Sequence, residues 1–196
     1  MSYGKKLYDK WNGNNTLFGI RMGSNDIWDL HNYCNITLNI NDYCVKNNNK
    51  IYENMDDIIT IIYDKIEKMY EIGGKNFMVM NLPPFDLSPK NLNKKFEFLM
   101  NEIAYFNSLL SEKAKYIFNK YKDINIIIYN INEEYRYIMK EYKSFNFTSG
   151  SEMYIQNKNN NPDKYFWNDY THLTEKGNEI LAEDINDLLQ SLNENK

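Results

Sequence analysis

Near the C-terminus an aspartate lies three residues before a histidine, Asp169 and His172, and the chain contains only two histidines. An imidazole can take a proton from a hydroxyl group, and a neighbouring carboxylate can orient that imidazole and stabilise its charged form. The two residues are therefore a candidate base and orienting group for nucleophilic hydrolysis. The same spacing also occurs by chance in many turns, so the pair alone does not establish an activity.

A second candidate group follows the first apolar run of the chain, in the sequence Gly23-Ser24-Asn25-Asp26. A glycine lets the backbone approach a ligand closely, and the side-chain amide of Asn25 can donate a hydrogen bond to a developing oxyanion. Taken alone, such a tetrapeptide is usually no more than a turn. Gly23 and Asn25 become candidate oxyanion-hole residues only in combination with the Asp–His pair.

The elements that must position these residues can be predicted from apolar periodicity and from glycine and proline breaks. Short, largely apolar runs predict strands over 17–23, 77–82 and 124–129. Apolar residues at helical spacing predict helices over 54–70, 92–120, 133–143 and 174–192. Residues 24–50 and 156–163 are rich in polar residues and are predicted to be loops, and Ser144, Ser149 and Ser151 are placed in a polar loop.

Strands that alternate with helices in this way predict parallel pairing and an α/β sandwich. In open sheets of this class, active sites gather beyond the C-terminal ends of the strands. The Gly23 turn and the Pro83-Pro84 turn both follow predicted strands. We therefore expect any chemistry to be assembled from these turns and from the segment around His172, with Asp86 either lining a cleft or serving as a turn residue.

Composition restricts the class of protein. The 196 residues are 42% hydrophobic and 15% aromatic, which predicts one folded domain over 1–196. The net charge of −4 and a pI near 5.3 argue against a nucleic-acid partner. No apolar run is long enough to span a membrane, and no apolar segment follows the first basic residues as in a signal peptide. Oligomeric state is not predictable from these properties.

Two cysteines and the second histidine are not assigned to a site. Cys34 and Cys44 are ten positions apart and are either a local disulfide or two free thiols, which spacing cannot decide. His31, the other histidine, is interpreted as a loop residue.

Taken together, Gly23–Asp26 and Asp169–His172 resemble the third and fifth conserved blocks of the GDSL or SGNH family of esterases and lipases. The strand over 17–23, the strand and Pro-Pro turn over 77–89, the helix segment 106–110 and the aromatic residues 165–167 resemble the fungal and plant-type branch of that family. The resemblance covers nearly the whole chain. It implies a three-layer α/β/α sandwich with a parallel sheet.

The resemblance also implies roles for the matching residues. His172 would act as general base and then as general acid, Asp169 would orient it, and Asn25 with the backbone of Gly23 would form the oxyanion hole. The implied reaction is hydrolysis of a carboxylic ester, an acyl or acetyl ester of a lipid or carbohydrate, through an acyl-enzyme. No metal or organic cofactor is implied, and the parent family is largely extracellular.

The chain departs from the family pattern because it contains no Gly-Asp-Ser sequence, which carries the family's nucleophile. We expect a truncated hydrolase that is inactive or very weak as given, with Ser24 a poor substitute nucleophile. The family's central first strand would also be absent, leaving the strand over 17–23 as an exposed apolar edge. The alternatives are a non-catalytic remnant that binds ligand and a structural or interaction domain.

Overall fold

The computed structural model describes residues 11–29, 48–92 and 97–194, so His31, Cys34 and Cys44 lie outside the described residues. The chain divides into two compact units. The first comprises Met1–Leu82 and Glu102–Tyr129, and the second comprises Pro83–Asn101 and Asn130–Lys196. Among the described residues, no helix is both long enough and apolar enough to cross a membrane.

The first unit contains a parallel sheet of three strands in the order β1 (Leu17–Arg21), β2 (Asn76–Met80) and β3 (Asn125–Tyr129). The strands pair in register, so that Leu17, Asn76 and Asn125 lie side by side. Helices connect the strands, as parallel pairing requires. The predicted α/β class and its three parallel strands are confirmed. β1 and β2 end two residues earlier than predicted, and β3 begins one residue later and ends where predicted.

Burial differs across this sheet because β2 lies between two strands. The three middle residues of β2, Phe77, Met78 and Val79, are buried. In β1 the side chains alternate between exposed and half-buried, and Leu17 is 37% exposed. Within the described part of the chain β1 pairs with β2 alone, so β1 is an edge strand there.

Three helices belong wholly or mostly to this unit: α1 (24–29 as described), α2 (Asn48–Glu71) and α3 (Glu97–Lys120). The prediction of a loop over 24–50 is therefore wrong at both of its ends, because residues 24–29 and 48–50 are helical. Ile27 is fully buried, and this apolar contact with the core accounts for a helix in an otherwise polar stretch. Tyr63 of α2 donates a hydrogen bond of 2.6 Å to the carbonyl oxygen of Leu110 in α3.

The second unit contains two helices, α4 (Ile131–Lys140) and α5 (Glu175–Glu194), and a parallel strand pair, β4 (Ser149–Met153) and β5 (Tyr165–Trp167). Short 3₁₀ turns lie at Phe85–Leu87, Tyr154–Gln156 and Pro162–Lys164. The apolar core of this unit is aromatic, since Phe166 packs edge-to-face against Tyr135 and Trp167 with ring centroids 5.2 Å apart in both cases.

The strand pair β4–β5 corrects the prediction that Ser149 and Ser151 lie in a loop, because both are strand residues. Its sequence is not apolar, and it is held by tertiary contacts instead. The indole N–H of Trp167 donates a hydrogen bond of 3.1 Å to the carbonyl oxygen of Gly150. A Cβ atom at Gly150 would lie 2.2 Å from the carbonyl oxygen of Met139, so only glycine allows this approach to α4.

Candidate active site

In the first unit, the chain bends at Gly23, two residues after β1 ends. Gly23 has φ of +100°, a conformation that side chains with a Cβ rarely adopt. Its carbonyl oxygen accepts a hydrogen bond of 2.9 Å from the N–H of Ile27, which is the first bond of α1. The predicted candidate turn is therefore a strand-to-helix junction, with Ser24 and Asn25 in the first helical turn.

Gly23 is also required for packing. A Cβ atom at this position would lie 2.4 Å from Cζ of Phe106, a contact distance that real structures do not show. Phe106 is fully buried on α3, so its ring has no open space into which it could turn. The backbone at the end of β1 is thus fixed by a residue 83 positions later in the sequence.

Asn25 is exposed on α1. No side-chain hydrogen bond engages its amide within the described part of the chain, so the amide can donate to a ligand. Ser24 is half-buried beside it.

A second junction in the first unit is held by Asn107, for which no separate role was predicted. Its side-chain oxygen accepts from the N–H of Leu82 at 2.8 Å, and its amide donates to the carbonyl oxygen of Leu82 at 3.1 Å. Just beyond the end of β2, the Asn107 side chain thus makes the two backbone hydrogen bonds that a neighbouring strand would otherwise make. The signal in the sequence was the segment 106–110, whose Asn-x-x-Leu pattern resembles a helix of the family named above but does not predict this contact.

In the second unit, Asp169 and His172 form the predicted pair. Nδ1 of His172 lies 3.0 Å from each carboxylate oxygen of Asp169. Oδ1 of Asp169 also accepts hydrogen bonds of 2.9 Å from the backbone N–H groups of Thr171 and His172. A single carboxylate therefore shapes the loop and orients the imidazole.

The charge state of this pair follows from its surroundings. Burial acts to raise the pKa of Asp169, but the N–H groups of Thr171 and His172 and the imidazole lower it by more, so the net shift is downward. An ionised carboxylate only accepts hydrogen bonds, which places the proton of neutral His172 on Nδ1. Nε2 then carries the free lone pair, as a general base requires.

The loop that carries the pair is closed at its base and open at its tip. Trp167 and Leu173 form an antiparallel bridge, and the N–H of Asn168 donates to the carbonyl oxygen of His172 at 2.8 Å. The His172 side chain is 78% exposed, whereas that of Asp169 is 29% exposed. The imidazole therefore meets solvent while its partner is shielded.

Thr174 anchors the loop to α5. Its hydroxyl donates to the carbonyl oxygen of Tyr165 at 2.7 Å and accepts from the N–H of Gly177 at 3.1 Å, which caps the helix. Thr174 is buried, and the start of the last helix at this position is confirmed.

Within the described residues of the second unit, no serine is hydrogen-bonded to His172. The buried Ser88 donates to the carbonyl oxygen of Phe85 at 2.8 Å. Ser149 and Ser151 lie 3.3 Å apart and share a hydrogen bond. These hydroxyls serve turns and strand ends.

Asp86 has a structural partner of its own. Both of its carboxylate oxygens lie 3.4 Å from Nη2 of Arg136, and Nε of Arg136 donates to Asn132 at 2.9 Å. In the part of the chain that the structure describes, no three His, Cys, Asp or Glu side chains are grouped so that they could hold a metal ion.

Comparison with known proteins places these features in a family. The family model described as GDSL-like lipase/acylhydrolase matches residues 4–185. A GDSL esterase/lipase of Arabidopsis thaliana is 28% identical over 189 residues, which cover 85% of this chain and 52% of that protein. An acetylesterase of Thermothelomyces thermophilus is 26% identical over 89 residues, covering 43% of this chain and 23% of that protein. The chain thus spans about half the length of the first relative and less of the second.

Proposed function

Because the chain belongs to the family of GDSL-like lipases and acylhydrolases, whose members hydrolyse esters, we propose that it contributes to hydrolysis of carboxylic esters through an acyl-enzyme. The observation that carries the proposal is the Asp169 carboxylate, which holds Nδ1 of His172 at 3.0 Å and leaves Nε2 free. The substrates we propose are acyl or acetyl esters of lipids or carbohydrates. The acetylesterase relative supports the acetyl group.

In the proposed reaction, Nε2 of His172 removes the proton of a serine hydroxyl as its oxygen attacks the ester carbonyl carbon. The oxyanion that forms accepts hydrogen bonds from the Asn25 amide and the Gly23 backbone, an interaction whose loss typically costs about 10²–10³ in rate. The carbon–oxygen bond to the alcohol then breaks, and His172 protonates the leaving oxygen. Water, activated in turn by His172, releases the acid from the serine.

The serine is the part of this mechanism that these 196 residues do not supply in the family's form, since no Gly-Asp-Ser sequence is present. We propose that this polypeptide by itself is inactive or very weak. Oxyanion stabilisation and binding alone leave about 10³–10⁴-fold acceleration over water when a triad member is missing. The organisation of residues 1–196 as a single domain and an extracellular location are also predictions.

The direct test is hydrolysis of p-nitrophenyl acetate by the 196-residue chain and by His172→Ala, Asn25→Ala and Asp169→Asn. The expected result is weak hydrolysis that falls further in each variant. The matched control is His31→Ala, which removes the other histidine and should leave the rate of hydrolysis unchanged. Hydrolysis that is fast and unchanged in His172→Ala would overturn the mechanism.

Covalent labelling with a fluorophosphonate identifies any activated serine independently of turnover. We expect no fast labelling of any serine in this chain. Rapid labelling at Ser24 that disappears in His172→Ala would instead assign Ser24 as the nucleophile and overturn the proposed inactivity.

One observation favours a second function, the non-catalytic ligand-binding remnant. The chain retains the Asp–His pair and the Gly23 turn without a Gly-Asp-Ser sequence. Such a remnant binds an ester or its phosphonate analogue reversibly and releases it unchanged. Reversible binding in the complete absence of turnover and labelling is the result that separates it from an enzyme.

A further inference from the structure

A polar cavity of about 530 Å³ lies in the second unit, on residues outside the Asp–His loop. This volume is within the range of roughly 300–1,000 Å³ typical of sites for small molecules. Three segments supply its walls: the turn after α4, the 3₁₀ turn before β5 and the first turns of α5. The lining residues are Phe145, Asn146, Asn161, Asp163, Lys164, Glu175, Lys176 and Glu179.

Hydrogen bonds to backbone groups fix the segments that line the cavity. Asn146 has φ of +65° and ends a helical turn in which the N–H of Phe147 donates to the carbonyl oxygen of Tyr142 and that of Asn146 donates to Lys143. This is the Schellman arrangement, in which asparagine substitutes for the usual glycine. Thr148 then joins two of the walls, because its N–H and hydroxyl both donate to the carbonyl oxygen of Lys164, at 2.8 and 3.0 Å.

Several polar groups of the lining are available to a ligand. Within the described residues, no side-chain hydrogen bond or ion pair engages Asn146, the Asp163 carboxylate, the Lys164 ammonium group or Glu175. Lys176 and Glu179 differ, since they pair with each other at 3.2 Å. The cavity therefore offers an amide, two carboxylates and one ammonium group that have no described partner.

One wall is aromatic. Phe145 is half-buried and packs edge-to-face against Tyr137, with ring centroids 5.8 Å apart. Tyr137 is itself 55% exposed on α4. Phe145 lines the cavity, and Tyr137 packs against its ring from outside the lining.

We propose that this cavity binds a neutral saccharide. A simple anion would meet Asp163 and Glu175, and a simple cation would meet Lys164, so neither suits the mixed charge of the lining. Sugar hydroxyl groups both donate and accept, and can therefore satisfy carboxylate, amide and ammonium groups at once. The apolar C–H face of a sugar ring matches the ring of Phe145. The proposal does not depend on the hydrolytic mechanism, because it concerns binding alone.

The test is titration of the ¹⁵N-labelled 196-residue chain with the neutral disaccharides cellobiose, maltose and diacetylchitobiose, followed by NMR. We expect saturable binding to at least one of them at millimolar concentration, which corresponds to about −4 kcal/mol. The largest shifts should occur at the amides of Asn146 and Lys164. His172→Ala should bind equally well, so failure of the hydrolytic mechanism would leave this result intact.

The discriminating variant is Asp163→Ala, which removes an exposed carboxylate from the cavity and should weaken binding at least tenfold. The matched control is Asp187→Ala, an exposed carboxylate of α5 outside the cavity, which should bind like the unchanged chain. Phe145→Ala should also weaken binding, and its spectrum reports whether the fold is retained.

Three results would overturn the proposal. The first is the absence of binding to all three disaccharides. The second is binding with shifts confined to other parts of the chain and unchanged in Asp163→Ala. The third is saturable binding of inorganic phosphate at the cavity without any binding of sugar, which would make it an anion site.

Discussion

The two candidate site regions are built in opposite ways. The Gly23 turn is fixed from a distance, since its backbone is shaped around the Phe106 ring of α3. The His172 imidazole is oriented from within its own loop, because every described partner of the Asp169 carboxylate is within three residues of it. The first arrangement makes the placement of the oxyanion donors depend on the packed core, and the second orients the imidazole through a carboxylate of its own loop. Replacing the glycine of the turn should therefore mainly lower stability, whereas replacing the exposed imidazole of the loop should mainly lower activity.

The largest effect is expected for Gly23→Ala, which combines a positive φ with a clash at 2.4 Å from Phe106. We expect the free energy of unfolding to fall by roughly 2–5 kcal/mol, as measured by urea denaturation. Alanine substitutions at two other glycines separate the effect of the positive φ from that of the clash. Gly73 has φ of +106° with nothing within 4 Å of an added Cβ, and its alanine variant should lose about 1–2 kcal/mol.

Gly19 has neither a positive φ nor an atom close to an added Cβ, and Gly19→Ala should change stability by less than about 0.5 kcal/mol. The double variant Gly23→Ala/Phe106→Leu replaces the ring by a smaller side chain. It should recover part of the stability that Gly23→Ala loses, with a coupling free energy of about 1 kcal/mol or more. Strict additivity of the two substitutions would contradict the proposed dependence of the turn on Phe106.

A smaller effect is expected where the loop joins the core, at Thr174. Thr174→Ala removes both the helix cap and the buried hydrogen bond to Tyr165, and we expect a loss of about 1–2 kcal/mol in thermal or urea unfolding. Thr174→Ser keeps the hydroxyl and is the matched control. Equal losses in the two variants would show that the methyl group, and not the hydroxyl, holds the base of the loop.

A pH-dependent effect is expected for Asp169. Its pKa is lowered in the folded chain, so its contribution to stability is present above the unfolded value of about 3.9 and is lost as pH falls through the folded value. Asp169→Asn keeps one acceptor oxygen and should cost up to about 1 kcal/mol at pH 7, with the difference vanishing under acid conditions. A ¹³C NMR titration of the Asp169 carboxyl should give a midpoint below 3.9.

In the same comparison, Asp187→Asn controls for the loss of one surface carboxylate. A stability difference between the unchanged chain and Asp169→Asn that grows as pH falls would have the wrong sign for this assignment.

The smallest effect on stability is expected for His172→Ala. The side chain is 78% exposed, so we expect a change within about 0.5 kcal/mol in urea unfolding. The assignment of His172 as general base nevertheless requires that this variant lose whatever esterase activity the chain has. A large loss of stability would show that the imidazole packs against residues beyond its own loop.

Sequence patterns predicted the three parallel strands because their apolar runs stand between glycine, proline and polar segments. They also located Asp169 and His172, since the pair is close in sequence as well as in space. They missed β4–β5 because Ser149-Gly150-Ser151 carries no strand pattern, and the pairing depends on the Trp167 indole and the close approach of Gly150 to Met139.

The start of α1 was missed for a similar reason. Ser24, Asn25 and Asp26 are typical turn and cap residues, and the helix is stabilised by the burial of Ile27. The role of Asn107 depends on its two hydrogen bonds to Leu82, 25 positions away, which no local pattern encodes.

The bridge between Trp167 and Leu173 encloses every described group that orients the imidazole. We therefore expect residues 168–172 to orient the imidazole on another scaffold that replaces the hydrogen bonds donated by the N–H groups of Ile155 and Lys90 to the carbonyl oxygens of Asn168 and Tyr170. Grafted between two facing positions of another protein's antiparallel bridge, they carry with them an aspartate, a histidine and the backbone geometry that joins them. An engineer who needs an oriented imidazole on an unrelated scaffold would thus graft five residues and supply two outside backbone donors.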